Sequence, residues 1–185
     1  MGQKFYKKTL RLKDEHTWKA KPGNMICVID RGAVRFDYPG SWDMTIDDGQ
    51  INLRDRPQPD DNCVLSVSHM QIPVELADQL PVRELVEGAR PEEDGEVLER
   101  KPAVDVARDD GIELAYAETR YIQRQEKREA ISRLAVGRSG GIYCLITFAF
   151  WTDDFAKCEP VWQEALRSLT LGQYATDPTT GPMVH

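Results

Sequence analysis

Paired aspartates are the first residues in this sequence whose type and spacing could do chemistry. They occur four times, at Asp47-Asp48, Asp60-Asp61, Asp109-Asp110 and Asp153-Asp154. Clustered carboxylates could bind a hard cation such as Ca²⁺. None of the pairs has the spacing of a calcium loop, two of them precede glycine in tight turns, and the last stands where a helix start favours negative charge. We therefore interpret the pairs as turn and cap residues and predict no metal site.

The cysteine and histidine residues are a second candidate set. The cysteines, Cys27, Cys63, Cys144 and Cys158, show no Cys-x-x-Cys spacing, and the three histidines are scattered, which disfavours zinc. A catalytic thiol needs a positioned histidine, and the pairing left open is Cys158 with His69. The better-supported interpretation makes His69 a hydrogen-bonded structural residue of a strand. We predict neither a catalytic residue nor a cofactor.

A group of basic residues in and beside one predicted hairpin is the remaining candidate site. Its members are Arg120, Tyr121, Arg124, Lys127, Arg128, Arg133 and Arg138. Arginine and tyrosine are favoured at protein interfaces, so the group is a candidate surface for an acidic protein partner. The alternative is a set of solvated strand faces and loop tips, with Glu118, Glu126 and Glu129 pairing locally.

Composition and charge limit the classes of protein to which the chain can belong. A chain of 185 residues with 41% hydrophobic and 30% charged residues is expected to fold as one domain. The formal net charge of −7 disfavours nucleic-acid binding. The longest apolar run, Ile142 to Trp151, is far shorter than the ~20 residues of a membrane span. Met1 to Tyr6 contains no apolar signal-peptide core, which predicts a cytoplasmic location.

Hydrophobic periodicity predicts a strand-rich chain with two helices. One helix follows Pro81 and ends before Pro91, and the other begins near Pro160 with Gly172 as its C-terminal cap. The predicted strands cover residues 25–29, 34–38, 42–46, 51–53, 64–72, 97–106, 112–122, 128–136 and 142–151. We predict a domain over residues 25–172. A basic N-terminal extension over 1–24 precedes it and contains an edge strand over Lys4 to Leu12. A flexible tail over 173–185 follows the domain.

The last predicted strand, Ile142 to Trp151, determines the predicted layers. It is apolar at nearly every position and not at every second one. A strand of this kind is covered on both faces, so we expect helices on both sides of the sheet. The fold class predicted is therefore α+β, as a three-layer α/β/α sandwich with a central, mainly antiparallel sheet.

A family resemblance supports this architecture. Three segments of the chain resemble the Mog/PsbP-like family. They are Val34-Arg35-Phe36-Asp37-Tyr38-Pro39 with Trp42, the strand meander ending in Tyr143-Cys144-Leu145-Ile146-Thr147-Phe148, and the final helix with Pro160 and Trp162. The resemblance spans about Met25 to Leu171. It implies a sandwich whose known members mostly bind other proteins, among them cytosolic adaptors that chaperone type VI secretion effectors.

Two functions are consistent with these observations. The first is a non-catalytic protein-binding module, an adaptor or chaperone for a secreted effector, with an exposed apolar or mixed groove on one sheet face and self-association as a homodimer. The second is a small-molecule-binding protein or weak enzyme with a pocket between sheet and helix. In that case His69, Tyr116 and Arg133 would have to converge in a deep cavity.

Overall fold

An antiparallel sheet of eight strands forms the centre of the fold in the computed structural model, which describes residues 18–47, 49–77, 79–175 and 183–184. The strands are β1 (Asn24–Ile29), β2 (Val34–Pro39), β3 (Asp43–Asp47), β4 (Gln50–Arg54), β5 (Cys63–Gln71), β6 (Gly95–Arg100), β7 (Val104–Asp105), β8 (Glu113–Gln123), β9 (Glu129–Ser139), β10 (Ile142–Trp151), β11 (Thr170–Leu171), β12 (Tyr174–Ala175) and β13 (Met183–Val184). The helices are α1 (Val74–Ala77), α2 (Val82–Gly88) and α3 (Phe155–Ser168). In the large sheet the order is β3-β4-β5-β10-β9-β8-β6, and β7 also pairs with β8.

Helix α3 and a small second sheet cover one face of the large sheet. The second sheet has the order β1-β2-β11, and its buried residues include Cys27, Val34 and Phe36. They share one hydrophobic core with Trp162 of α3 and Phe148 of β10. We call this side of the large sheet the α3 face.

Helices α1 and α2 cover part of the opposite face. A second core there contains Val82 and Val86 of α2, packed with Leu134 and Val136 of β9 and with Tyr143 of β10. The Tyr143 hydroxyl donates to the carbonyl oxygens of Ala77 at 2.8 Å and Leu80 at 3.2 Å, which ties α1 to the sheet. Strand β10 thus contributes to cores on both faces, and the predicted α+β sandwich is confirmed.

The rest of the opposite face is not covered by α1 or α2 and is lined with small and polar side chains. Asn52, Ser66 and Thr147 lie in one row across β4, β5 and β10. The Ser66 hydroxyl donates to Asn52 Oδ1 at 2.6 Å, and Asn52 Nδ2 donates to Asp47 Oδ2 at 3.2 Å. Asn52 and Ser66 are buried in this row, and these hydrogen bonds satisfy their polar groups away from water.

The prediction for the last helix was wrong at both ends. Helix α3 begins at Phe155, so Pro160 lies in its second turn. Proline lacks an N–H, but the one bond that it removes is to the carbonyl of Ala156, close to the start of the helix. At the other end Leu169 has extended backbone angles (φ −57°, ψ 126°), and Gly172 follows β11 instead of capping the helix.

The chain before the predicted domain start is packed against it from Trp18 onward. The Trp18 indole is buried, and the Arg35 guanidinium lies 5.4 Å from its ring centre. Lys21 Nζ lies 2.5 Å from Glu164 Oε2 on α3. At the other end of the chain β12 pairs with β13. The predicted edge strand over Lys4 to Leu12 lies outside the described residues, as does most of the predicted tail.

Candidate functional site

A small aromatic cleft lies where strands β8, β9 and β10 meet at one end of the opposite face. Tyr121 and Trp151 provide its aromatic walls, and the short side chains of Val64, Ala130 and Ala149 form its floor. Its volume is about 190 Å³. Small-molecule sites usually measure about 300–1,000 Å³, so this cleft is of the size to take one side chain of a protein partner.

Strand register explains how these residues come together. Tyr121 pairs with Ala130 on β9, and Ala130 in turn pairs with Trp151 on β10. Val64 of β5 pairs with Ala149 on β10 in the next row. Successive side chains of a strand point to opposite faces, so these paired positions share one face. The small residues of the floor leave the two aromatic rings partly exposed at the cleft.

The turn between β8 and β9 holds basic side chains beside the cleft. Gln123 N–H donates to the Arg128 carbonyl at 2.8 Å, and the Gln123 side-chain oxygen accepts from the Glu126 N–H at 2.6 Å. Lys127 adopts a left-handed backbone (φ 54°) that allows this tight turn. These bonds give the basic loop a defined shape at the end of the sheet.

Arg128 is the basic residue most directly connected with the cleft. Its guanidinium carbon lies 4.5 Å from the centre of the Trp151 ring, in the geometry of a cation–π contact. It also pairs with Asp153 at 3.3 Å, and its side chain is 42% exposed. Arg124 pairs with Asp94 at 3.5 Å and is 73% exposed. Exposed ion pairs of this kind are weak, so a partner's carboxylates can compete for these arginines.

Tyr121 is protonated at neutral pH, and its surroundings reinforce that state. Burial and the nearby charges of Glu93 and Asp94 raise the pKa of the Tyr121 phenol. Burial also raises the pKa of Glu93, whose carboxylate is hydrogen-bonded with Ser132. At neutral pH Tyr121 therefore presents a neutral hydroxyl that can donate a hydrogen bond to a partner. We use the name hairpin-end surface for Tyr121, Arg124, Lys127, Arg128 and Trp151.

The seven residues of the predicted basic surface do not form one surface. Tyr121, Arg124, Lys127 and Arg128 lie together at the hairpin end, as described. Arg120 is on the α3 face, where its Nε donates to Glu129 at 2.9 Å. Arg138 is at the far end of β9, hydrogen-bonded to the Ala77 carbonyl and paired with Glu113.

Arg133 lies inside the protein, under helix α3, and is only 4% exposed. Its Nε donates to Glu118 at 2.7 Å, and a terminal nitrogen lies 2.6 Å from Glu159 of α3. Its guanidinium carbon is 5.4–5.7 Å from the ring centres of Phe150, Phe155 and Trp162. Burial alone would raise the pKa of Glu118, but hydrogen bonds from Lys101 and Arg133 lower it. Arg133 therefore supports the core and is not available to a partner.

The residues that sequence reasoning missed are those of the cleft itself. Trp151 was assigned only to the last strand, and Val64, Ala130 and Ala149 carried no polar group that would attract attention. One sequence signal could have indicated the cleft. The last predicted strand ends in an aromatic residue, Trp151, and the acidic pair Asp153-Asp154 follows it. Register across four strands was needed to bring these positions to Tyr121.

The structure separates the cysteine–histidine pair that the sequence left open. Cys158 is hydrogen-bonded with Cys63 at the start of β5, whereas His69 lies near its other end, about 20 Å along the strand. His69 Nε2 lies 3.8 Å from Asp30 instead. The hydrogen bond with Cys158 and burial raise the pKa of Cys63, and burial raises that of Cys27 to about 12. Both thiols are therefore protonated at neutral pH and poor nucleophiles.

The paired aspartates mostly form ion pairs of their own. Asp61 pairs with Arg54, Asp110 with Arg108, and Asp153 with Arg128, while Asp48 lies outside the described residues. In the part of the chain that the structure describes, no group of three or more histidine, cysteine or acidic side chains is placed to hold a metal ion. Within the same residues, no helix is both long and apolar enough to cross a membrane.

The second predicted constellation does not converge either. Tyr116 and Arg133 contact the Trp162 ring, with the Tyr116 ring centre at 5.7 Å and the Arg133 guanidinium carbon at 5.7 Å. His69 is on β5, three strands away from Tyr116 on β8. At about 4.8 Å per strand this separation is roughly 14 Å. Tyr116 lines a cleft between sheet and helix that contains neither His69 nor Arg133.

Comparison with solved structures defines the class of protein. A protein of Bacteroides thetaiotaomicron superposes with a TM-score of 0.58 at 16% identity over 80% of this chain, which spans about half (48%) of that protein's length. The cyanobacterial PsbP (CyanoP) of Synechocystis sp. PCC 6803 superposes with a TM-score of 0.53 at 16% identity, over 82% of this chain and 94% of CyanoP. At these identities the likeness concerns the fold alone, an α+β sandwich like that of CyanoP.

Sequence comparison then gives the family. A profile of the Alr1449 family matches residues 25–175. The uncharacterized protein alr1449 of Nostoc sp. (strain PCC 7120) is 36% identical over 178 residues, which cover 96% of this chain and 92% of that protein. The chain belongs to the Alr1449 family.

Proposed function

We propose that this protein is a non-catalytic protein-binding module and that it binds its partner through the hairpin-end surface. The observation that carries the proposal is the aromatic cleft with Arg128 stacked on Trp151 at its edge. Tyrosine, tryptophan and arginine are the residue types most enriched at the centres of protein interfaces. Their exposure around a cleft with an apolar floor supports binding of a partner side chain.

The chemistry of the surface defines the segment that it fits. The floor of Val64, Ala130 and Ala149 favours an apolar or aromatic side chain, which would lie between the two aromatic walls. Arg124, Lys127 and Arg128 favour acidic residues on either side of that anchor. The expected partner segment therefore carries one apolar anchor flanked by aspartate or glutamate.

A finer proposal concerns the biological role. We propose that the module works in the cytoplasm as an adaptor or chaperone for a secreted effector, and that it self-associates as a homodimer. The partly open sheet face supports this role because an extended polar and apolar floor can hold a segment of a partner. The exposed side chains of Met70, Val74 and Leu76 beside that face add apolar surface for contacts with an effector or with a second copy of the chain.

The test is crosslinking and affinity capture of the full chain from its native cell, comparing the wild type with Tyr121→Ala and Arg128→Glu. We expect each substitution to reduce recovery of a reproducible partner about tenfold or more, because each removes an interface anchor. Arg83→Glu is the matched control, since Arg83 is an exposed arginine of α2 that pairs only at the surface with Asp105. Circular dichroism checks that the variants fold. Absence of a reproducible partner, or equal recovery with all variants, would contradict the proposal.

A small-molecule function remains the alternative. The cleft that contains Tyr116 favours it, since its volume of about 590 Å³ is within the range of ligand sites. This cleft is on the α3 side and does not include the hairpin-end surface, so the two sites can be tested separately.

A further inference from the structure

A cleft of about 590 Å³ lies between helix α3 and the connection from β7 to β8. The connection contributes one wall, formed by residues 104–110. Gln163, Leu166 and Arg167 of α3 form the other wall, and Tyr116 of β8 contributes to the floor. The sequence carried no signal for this site beyond Tyr116, because its walls come from segments about sixty residues apart in the chain.

Both walls are held in place by bonds that do not involve a ligand. Val104 pairs with Tyr116 on β8, and the Val106 N–H donates to the Leu114 carbonyl at 2.8 Å. Arg108 crosses from the connection to the end of α3, where it donates to the carbonyls of Leu166 at 2.5 Å and Leu169 at 2.7 Å. Asp110 pairs with the same guanidinium. The cleft is therefore formed before a ligand binds, which lowers the entropic cost of binding.

The lining has three chemically distinct parts. Val106, Tyr116 and Leu166 present apolar surface, and Tyr116 adds a phenol. On the helix wall, Arg167 binds Glu164 through Nε and one terminal nitrogen, and its side chain is 59% exposed. Among the described contacts this leaves its other terminal nitrogen for an anion. On the facing wall stands the exposed carboxylate of Asp109. Asp105 points to the opposite face of the sheet, where it pairs with Arg83 of α2.

We propose that this cleft binds a small zwitterionic ligand of the size of a dipeptide or tripeptide. Its carboxylate pairs with Arg167 beside the Gln163 amide, and its ammonium group pairs with Asp109 on the facing wall. The apolar side chain between the two ends packs on Tyr116, Val106 and Leu166. A guanidinium on one wall and a carboxylate on the other match a molecule that carries both charges, and they fit a purely anionic or cationic ligand less well.

The test is a titration of the full chain with the dipeptide Ala-Phe, with its N-acetylated form and with its C-terminal amide, followed by calorimetry and by ligand-observed NMR. We expect saturable binding of the free dipeptide and at least about tenfold weaker binding of each blocked form, since each lacks one charge-assisted hydrogen bond. Ala107→Trp, at an exposed position of the cleft wall, should abolish binding by filling the cleft.

Two further variants assign the ends of the ligand. Arg167→Gln should weaken binding of the free dipeptide and of the acetylated form, but not of the amide, which has no carboxylate to lose. Asp109→Asn should weaken the free dipeptide and the amide, but not the acetylated form. Arg124→Gln, at the hairpin-end surface, is the control and should bind as the wild type does. Equal binding of free and blocked forms, binding retained in Ala107→Trp, or no saturable binding in the wild type would overturn the proposal.

Discussion

At the scale of single residues, arginines of one stretch of chain have different roles because their strands place them differently. Arg120 and Tyr121 are adjacent, so they point to opposite faces of β8. Arg133 and Arg138 are an odd number of positions apart on β9 and also point to opposite faces. Period-2 alternation predicts this separation from sequence. It does not predict that the face of Arg133 lies under α3, because that depends on packing between elements distant in the chain.

The buried ion pairs of Arg133 lead to a prediction on stability. Arg133→Met leaves the buried Glu118 without one of its two cationic partners and Glu159 without its arginine. We expect a loss of about 3–5 kcal/mol in the free energy of unfolding, measured by urea denaturation. Arg124→Met, at an exposed ion pair, should change it by no more than about 0.5 kcal/mol.

The double variant Arg133→Met with Glu118→Gln separates charge from packing. It removes the carboxylate that has lost its buried arginine partner, so we expect it to recover part of the stability lost in Arg133→Met. If the two changes proved strictly additive, the role assigned to the Arg133–Glu118 pair would be wrong.

Glu164 gives a prediction on pH dependence. Hydrogen bonds from Arg167 and Lys21 outweigh burial and lower the pKa of this carboxyl from 4.5 to about 2. A lowered pKa means that the carboxylate contributes stability above pH 4.5 and that this contribution is lost as the pH falls from 4.5 towards 2. Glu164→Gln should therefore cost roughly 1–2 kcal/mol at pH 7, a value that allows for exposed partners, and clearly less at pH 3.

Denaturation of both proteins at pH 7, 5 and 3 measures this difference. Glu92→Gln, at an exposed glutamate, is the control and should show no such trend. A cost of Glu164→Gln that stays constant across this range would contradict the assigned pKa.

At the scale of elements, the strands were more predictable from sequence than the helix ends. Strand β10 has the bounds that its apolar run indicated, and its two-sided burial follows from the same run. Helix α3 begins five residues earlier than Pro160 suggested, because proline is tolerated wherever the bond that it removes lies near a helix start. The predicted strand over 97–106 is divided into β6 and β7 around Pro102, which has no N–H for strand pairing.

The helices of the opposite face are expected to be the least stable element of the sandwich. Helices α1 and α2 are short, and the Tyr143 hydroxyl is one of the few polar groups that tie α1 to the sheet. Tyr143→Phe should cost about 1 kcal/mol and should speed amide exchange in residues 74–80. Amides of α3 should exchange as in the wild type, which hydrogen–deuterium exchange can measure segment by segment.

A conservative change on the other side of the sheet provides the comparison. Tyr38→Phe removes only a weak contact with the Met25 sulfur at 3.9 Å, so it should leave exchange in residues 74–80 unchanged. If the amides of α1 were as well protected from exchange in Tyr143→Phe as in the wild type, the hydroxyl would not hold this helix.

At the scale of the whole molecule, the layers were predictable and the candidate sites were predictable only in part. The layers follow from which residues are apolar, a property that each segment carries in its own sequence. The aromatic cleft needs the register of four strands, and the larger cleft needs a connection and a helix to meet across the α3 face. Neither arrangement is encoded in a local pattern: the sequence indicated Tyr121 and Arg128, but not Trp151 or the small residues that form the floor of the aromatic cleft.

The position of β5 in the sheet also affects how the chain can assemble during synthesis. Strand β5 is paired with β10, so Val67 lies beside Ile146, while β8, β9 and β10 are joined by short hairpins. Non-local pairing of this kind is expected to form late, after the local meander. At about 5–20 residues per second, β5 leaves the ribosome several seconds before β10, the second of its two partners, exists. During that time Leu65 and Val67 can pair with Leu53 and Ile51 of β4, but the other edge of β5 stays unpaired, and we expect chaperones to bind the nascent chain there.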